Sequence, residues 1–236
     1  MAASETFEPP SWGRSDVRTA GAAGAGAAGA GRRAGGGSGE STAGLTALAA
    51  ELHALAPSCG PVRLVAVDGH AGSGKTTFAG RLAAALGGAP VVHLDDLATH
   101  AEPFGWTGRL REQVLEPLAA GRDAAYEVYD WTLRRFASTA AVPSAPVVLV
   151  EGVGAGRRAV RPWLARVVWM ELAAEDARRR GEERDGPALA EFWEGWTRAE
   201  TAHFAVDPSR PYAATRVDGV TGRITPSTVG EPSTSP

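Results

Sequence analysis

The chain has 236 residues, a formal net charge of −3 from 24 basic and 27 acidic side chains, and one cysteine. That balance lacks the basic excess of non-specific nucleic-acid binders, and a lone cysteine excludes an internal disulfide, in keeping with a reducing compartment. No apolar run approaches the ~20 residues of a membrane span, and the N-terminus lacks the leucine-rich core of a signal peptide, so a cytoplasmic protein without nucleic-acid or membrane partners is expected.

Residues 1–40 are mostly Ala, Gly and Ser. They have almost no large apolar side chains to offset an ordering cost of roughly 1–2 kcal/mol per residue, and are expected to be disordered. Residues 223–236, with "TPSTVGEPSTSP", read the same way. The remainder, 41–222, is long enough for one domain with a sizeable core.

Within it, "STAGLTALAAELHALA" places Leu45, Leu48, Leu52 and Leu55 at helical spacing. "PVRLVAVDG" is a β-branched run of the buried-strand type. "GKTTFAGRLAAALGG" predicts a helix with Phe78, Leu82 and Leu86 on one face, stopped by Gly87 and Gly88. "APVVHLDD" predicts a second strand, and "GRLREQVLEPLAAG" a helix that Pro117 can kink. Trp106, just before it, is expected in a loop beside the substrate. "APVVLVEG" and "ARVVWMEL" predict further strands, the second after a short helix in "RRAVRPWL". "AAEDARRRGEERDG" and "PALAEFWEGWTRAETAHF" predict helices, and "ATRVDG" a last strand. Strands alternating with helices imply the α/β class, with a parallel sheet covered on both faces.

The stretch "GHAGSGKTT", residues Gly69, His70, Ala71, Gly72, Ser73, Gly74, Lys75, Thr76 and Thr77, has the Gly-x-x-x-x-Gly-Lys-Thr spacing of a phosphate-binding loop. Glycines permit the dihedrals by which backbone N–H groups wrap phosphate oxygens. The following helix turns its positive end to the same anion. Lys75 is the chain's sole lysine; every other cation is arginine. A compact ammonium on a thin stem fits inside such a loop, where a planar guanidinium does not. Thr76 supplies a hydroxyl for Mg²⁺. The motif follows a predicted strand and opens a predicted helix, the context of a P-loop NTPase fold, and it implies ATP with Mg²⁺.

Ligands bind at the carboxyl ends of parallel strands, and here the predicted strands end in acidic residues. Glu151 is the candidate second Mg²⁺ ligand, and Asp95 the candidate base for a substrate hydroxyl, with Asp96 beside it. Arg180 and Arg184, four apart on a predicted helix, are the candidate cations for transition-state charge. The aromatic stripe Phe192, Trp193 and Trp196 is expected to pack into the core, and His93 and His203 are expected to be structural.

Over residues 60–205 this order of motifs resembles the uridine kinase-like branch of the P-loop kinases, which includes phosphoribulokinase and pantothenate kinase. "VVHLDDL" is similar to the strand that carries the family's base, which implies Asp95 in that role and Asp96 in a weaker one. "YEVYDWTLRRF" resembles the segment lining the acceptor pocket, implying substrate contacts from Tyr126, Tyr129, Asp130 and Trp131. "LVEG" matches the strand with the Mg²⁺-side glutamate. "RRRGEERDG" resembles the arginine-rich lid that closes over the phosphates. Ala98 stands where the family often has tyrosine. Arg134 and its neighbours stand where uridine and cytidine kinases carry a histidine. The resemblance therefore implies transfer of the γ-phosphoryl group to a hydroxyl of a small, nucleoside-like acceptor rather than uridine in particular. A homo-oligomer is compatible with the sequence. The alternatives are a non-catalytic ATP-binding regulator and a toxin-like or antibiotic-modifying phosphotransferase.

Overall fold

A computed structural model describes residues 37–227. The disorder expected for residues 1–36 and 228–236 lies outside the described residues, whereas residues 37–40, also expected to be disordered, are the first turn of a helix.

Helix α1 (Gly37–Ala54) leads to strand β1 (Arg63–Asp68), and the phosphate loop joins β1 to helix α2 (Lys75–Ala85). Strand β2 (Val91–His93) runs directly into the one-turn helix α3 (Leu94–Leu97). Helices α4 (Thr107–Leu110) and α5 (Glu116–Ala119) are continuous through a widened π turn, Arg111–Leu115. Pro117 lies in the first turn of α5 and has no N–H to return to the preceding turn, so the helix opens upstream of it. A hairpin of β3 (Ala124–Asp130) and β4 (Arg135–Val142) follows, then β5 (Val147–Glu151) and β6 (Leu164–Glu171). Helices α6 (Ala174–Asp185) and α7 (Ala190–Val206) precede β7 (Thr215–Asp218) and β8 (Ile224–Pro226).

Six strands form one sheet in the order β2-β5-β1-β6-β7-β8. All neighbours are parallel except β8, which is antiparallel to β7. The alternation of strand residues separates two cores. Val65, Val67, Leu149, Val168 and Met170 pack with Leu45, Leu48 and Leu52 of α1 and Phe78 and Leu82 of α2. Leu64, Ala66, Val148, Val150 and Trp169 pack on the other face with the α3–α5 segment and the hairpin. Among the described residues no helix is long and apolar enough to cross a membrane.

Several expectations are corrected. Asp95 and Asp96 lie in α3 rather than at a strand end, because β2 stops after three residues. The helix expected in "RRAVRPWL" is only a 3₁₀ turn, Arg161–Trp163. The hairpin replaces a segment read without secondary structure. β8 occupies positions assigned to the tail, with Ile224 opposite Val217. Trp106 stands in the turn that caps α4, as a loop residue, but it does not line a substrate cavity: it is fully buried, with the Arg157 guanidinium 4.0 Å over its ring.

Candidate active site

The phosphate loop takes its shape from two constraints. Gly72 has φ +85°, and a Cβ there would lie 2.0 Å from the carbonyl oxygen of Ala177, so the loop lies against α6 without a side chain between them. Beneath the loop, the fully buried Asp68 accepts hydrogen bonds from the N–H groups of Gly69 (2.7 Å), Gly154 (2.8 Å) and Gly156 (2.9 Å). One carboxylate thus ties the loop's root to the "GVGAG" turn after β5. From α7, Glu200 accepts the Ala71 N–H at 2.8 Å. Lys75 is buried, and its ammonium donates back to the His70 carbonyl at 2.9 Å.

β5 lies between β1 and β2, and the register sets both Val67 and His93 beside Glu151. Glu151 is buried, and its Oε1 receives the Thr76 hydroxyl at 3.0 Å and His93 Nδ1 at 2.6 Å. Burial pushes the His93 pKa down, but the hydrogen bond and charge of Glu151, joined by Asp96 and Asp95, outweigh it and leave it raised. No three His, Cys, Asp or Glu side chains converge as a metal cage among the described residues. A hydroxyl and a carboxylate in contact still fit Mg²⁺, which is commonly held by one or two protein oxygens, with phosphates and water completing its shell.

A cavity of about 330 Å³ brings together Lys75, Thr76, Asp95, Glu151, Arg180 and Arg184. Ala71, Gly72, Gly74 and Thr77 also line it, with Val153, Phe192, Trp193 and Trp196. Burial raises the Asp95 carboxyl to about 7, and the negative charge of Glu151 adds to the shift while Lys75 opposes it. A group poised near neutral pH, beside a cation and a phosphate loop, has the electrostatics of a general base. Arg180 donates to the Gly219 carbonyl at 2.9 Å, and Arg184 forms a fork with Asp185 at 2.7 and 2.9 Å. Their neighbours Arg178 and Arg179 pair with Glu182 and Asp176 instead.

Other expected site residues stand outside the cavity lining. Gly69 and His70 belong to the root of the loop; His70 lies against Trp169 and Phe204, and Ser73 is fully buried. Asp96 is buried and accepts the Tyr126 hydroxyl at 3.0 Å; burial raises both pKa values. Trp131 donates its indole N–H to the Asp95 carbonyl at 3.1 Å. These two contacts fix α3 to the hairpin and so aim Asp95. The Tyr129 hydroxyl meets His100 Nδ1 at 3.0 Å. Asp130 caps the hairpin turn, accepting the Thr132 and Leu133 N–H groups at 2.8 and 2.7 Å. Asp68, Glu200 and the Glu151 contact of His93 were not singled out from sequence; their only signals were an acidic strand end, a charge within an aromatic helix and a polar residue inside a β run.

The mostly parallel sheet and the phosphate loop at its carboxyl edge define an α/β protein with the P-loop NTPase fold. No protein-family profile matches the chain, and neither does any curated protein sequence. Among solved structures, it is similar to a protein from Bacillus stearothermophilus described as a possible uridine kinase: 20% identity, TM-score 0.54, covering 74% of this chain and 97% of that one. A second similar structure, from Silicibacter sp. TM1040, is described provisionally as a fructose transport system kinase, at 23% identity, TM-score 0.43, 68% of this chain and 88% of that one. The likeness to the first extends over the central sheet and its flanking helices and is one of fold.

Proposed function

We propose that the protein is an ATP-dependent small-molecule kinase of the uridine kinase-like branch, transferring the γ-phosphoryl group to an acceptor hydroxyl. The observation that carries this reading is the single cavity holding the phosphate loop, Asp95, Glu151 and two arginines. Residues 69–77 bind the nucleotide phosphates, with backbone N–H groups and Lys75 as donors. Thr76 and Glu151 would hold Mg²⁺, which when bound neutralises phosphate charge. Asp95 accepts the proton of the acceptor hydroxyl as its oxygen becomes the nucleophile. Arg180 and Arg184 stabilise charge on the transferring group. Asp96 and Tyr126, and the indole of Trp131, hold α3 in place. A non-catalytic ATP binder has no use for a carboxylate and two arginines set around the phosphate loop in one cavity, which favours the enzyme.

The test is ADP release from Mg·ATP across a panel of nucleosides, sugars and vitamin precursors, with Lys75→Ala as control. Release stimulated by one acceptor and lost in Lys75→Ala supports the kinase. ATP binding without stimulated release across the panel favours the regulator. Growth arrest on expression that depends on Lys75 favours the toxin-like phosphotransferase.

A further inference from the structure

Strand β2 lies at the edge of the sheet and contributes one polar residue to it, His93. The parallel register sets His93 beside Glu151, and Val91 and Leu149, two residues earlier in each strand, pack in the core under α2. Side chains two apart on a strand share a face. His93 and Glu151 therefore project to the side of the sheet that α2 covers, where the first turn of α2 brings Thr76. A β-branched residue would suit a strand position better than histidine does; what the imidazole adds is a donor. Its Nδ1 lies 2.6 Å from Glu151 Oε1, the oxygen that also accepts the Thr76 hydroxyl at 3.0 Å. The His93 side chain is 30% exposed and that of Glu151 only 5%, so the ring contributes to the site more than to the core.

We infer that His93 is a positioning residue for the cation site: its ring N–H fixes the Glu151 carboxylate through Oε1 and leaves Oε2 for Mg²⁺ or one of its waters. This rests on the nucleotide and Mg²⁺ site of the kinase reading above. A glutamate side chain has several rotatable bonds, and a cation that binds it must arrest that freedom unless another contact has already done so. Thr76 cannot be the sole tether, because it is itself a candidate cation ligand. His93 is the contact of Glu151 that the cation does not share. Hydrogen bonds that orient a ligating carboxylate change metal affinity without touching the metal. Since Glu151 is buried, little water stands ready to replace the imidazole at Oε1.

The experiment titrates Mn²⁺ into the full-length protein at fixed ADP and reads free Mn²⁺ by its paramagnetic resonance signal. ADP binding in EDTA and the melting temperature without metal are measured alongside. His93→Val and His93→Ala remove the donor, the first with a side chain that suits a strand. His93→Asn keeps an N–H at the same position along the side chain. Either donor-free variant is expected to bind Mn²⁺ about 10–100-fold more weakly, with ADP affinity in EDTA unchanged, and His93→Asn to retain most of the Mn²⁺ affinity. A role confined to holding β2 would lower the melting temperature and leave Mn²⁺ affinity alone; that result in a folded donor-free variant overturns the inference. An equal loss in His93→Asn also overturns it, since the hydrogen bond would not be the cause. So does a wild type that binds no Mn²⁺ with ADP. No arm needs an acceptor or a transfer step, so a panel without a phosphorylated acceptor leaves this test standing, and failure here leaves the kinase reading to the panel.

Discussion

Asp95 has a carboxyl held near 7, where ordinary aspartates titrate near 3.8. A base must be ionised to accept a proton. Below its pKa the ionised fraction falls about tenfold per pH unit. The expected kcat/KM profile therefore rises with pH up to about 7 and levels above it. A flat profile from about pH 5 to 8 would remove Asp95 from that role. Asp68 makes a second claim at this scale. Its carboxylate accepts three buried N–H groups, and Asp68→Ala leaves all of them without that acceptor. Each unpaired buried donor costs about 1–3 kcal/mol. Urea denaturation should show a loss of at least that size.

At the scale of elements, α6 and α7 meet at Gly181. A Cβ there would lie 2.2 Å from the Trp193 ring. Alanine improves helix propensity by up to about 1 kcal/mol, but forcing the ring aside costs about 1–3 kcal/mol. Gly181→Ala is therefore expected to lower the melting temperature. Because the displaced Trp193 lines the cavity, it should also lower phosphoryl transfer. A raised melting temperature would show that the two helices separate without cost. The hairpin and α3 mark what could be read from sequence at this scale. Long elements with a clear apolar period, such as α2, β1, β5 and β6, were legible. The β3 run "AAYEVYD" was not: its apolar face of Ala124, Tyr126 and Val128 is short and is broken by a register shift between Val128 and Tyr129. β2 was overextended because the apolar-rich run "VVHLDDL" does not show where three strand residues give way to one helical turn.

Across the whole molecule, legibility follows sequence separation. The phosphate loop is contiguous, so its chemistry stands in nine residues. Thr76 and Glu151 are 75 positions apart, but a hydroxyl after the lysine and an acid at a strand end each have a known place in that fold. The contacts of His93 with Glu151, Asp68 with Gly154 and Ala71 with Glu200 span 58, 86 and 129 positions, and nothing local announces them. They arise from strand order, which brings β2 and β1 to either side of β5, and from α7 returning to the loop. Since the loop joins the sheet to α6 and α7, nucleotide binding should stabilise the fold as a unit. Mg·ATP at 100 times its Kd adds about 2.7 kcal/mol, a rise of several degrees for a domain of this size. Lys75→Ala should lose most of that rise; an equal rise in the variant would place ATP elsewhere.

In the proposed kinase one cavity serves both nucleotide and acceptor, with Asp95 between them. Single-turnover phosphoryl transfer from Mg·ATP to the acceptor found in the panel, comparing the wild type with Asp95→Asn, tests this arrangement. Asp95→Asn is expected to fold and to bind Mg·ATP as the wild type does, while transfer falls by roughly 10²–10⁴-fold, the usual contribution of a positioned base. Full transfer by the folded variant would contradict it.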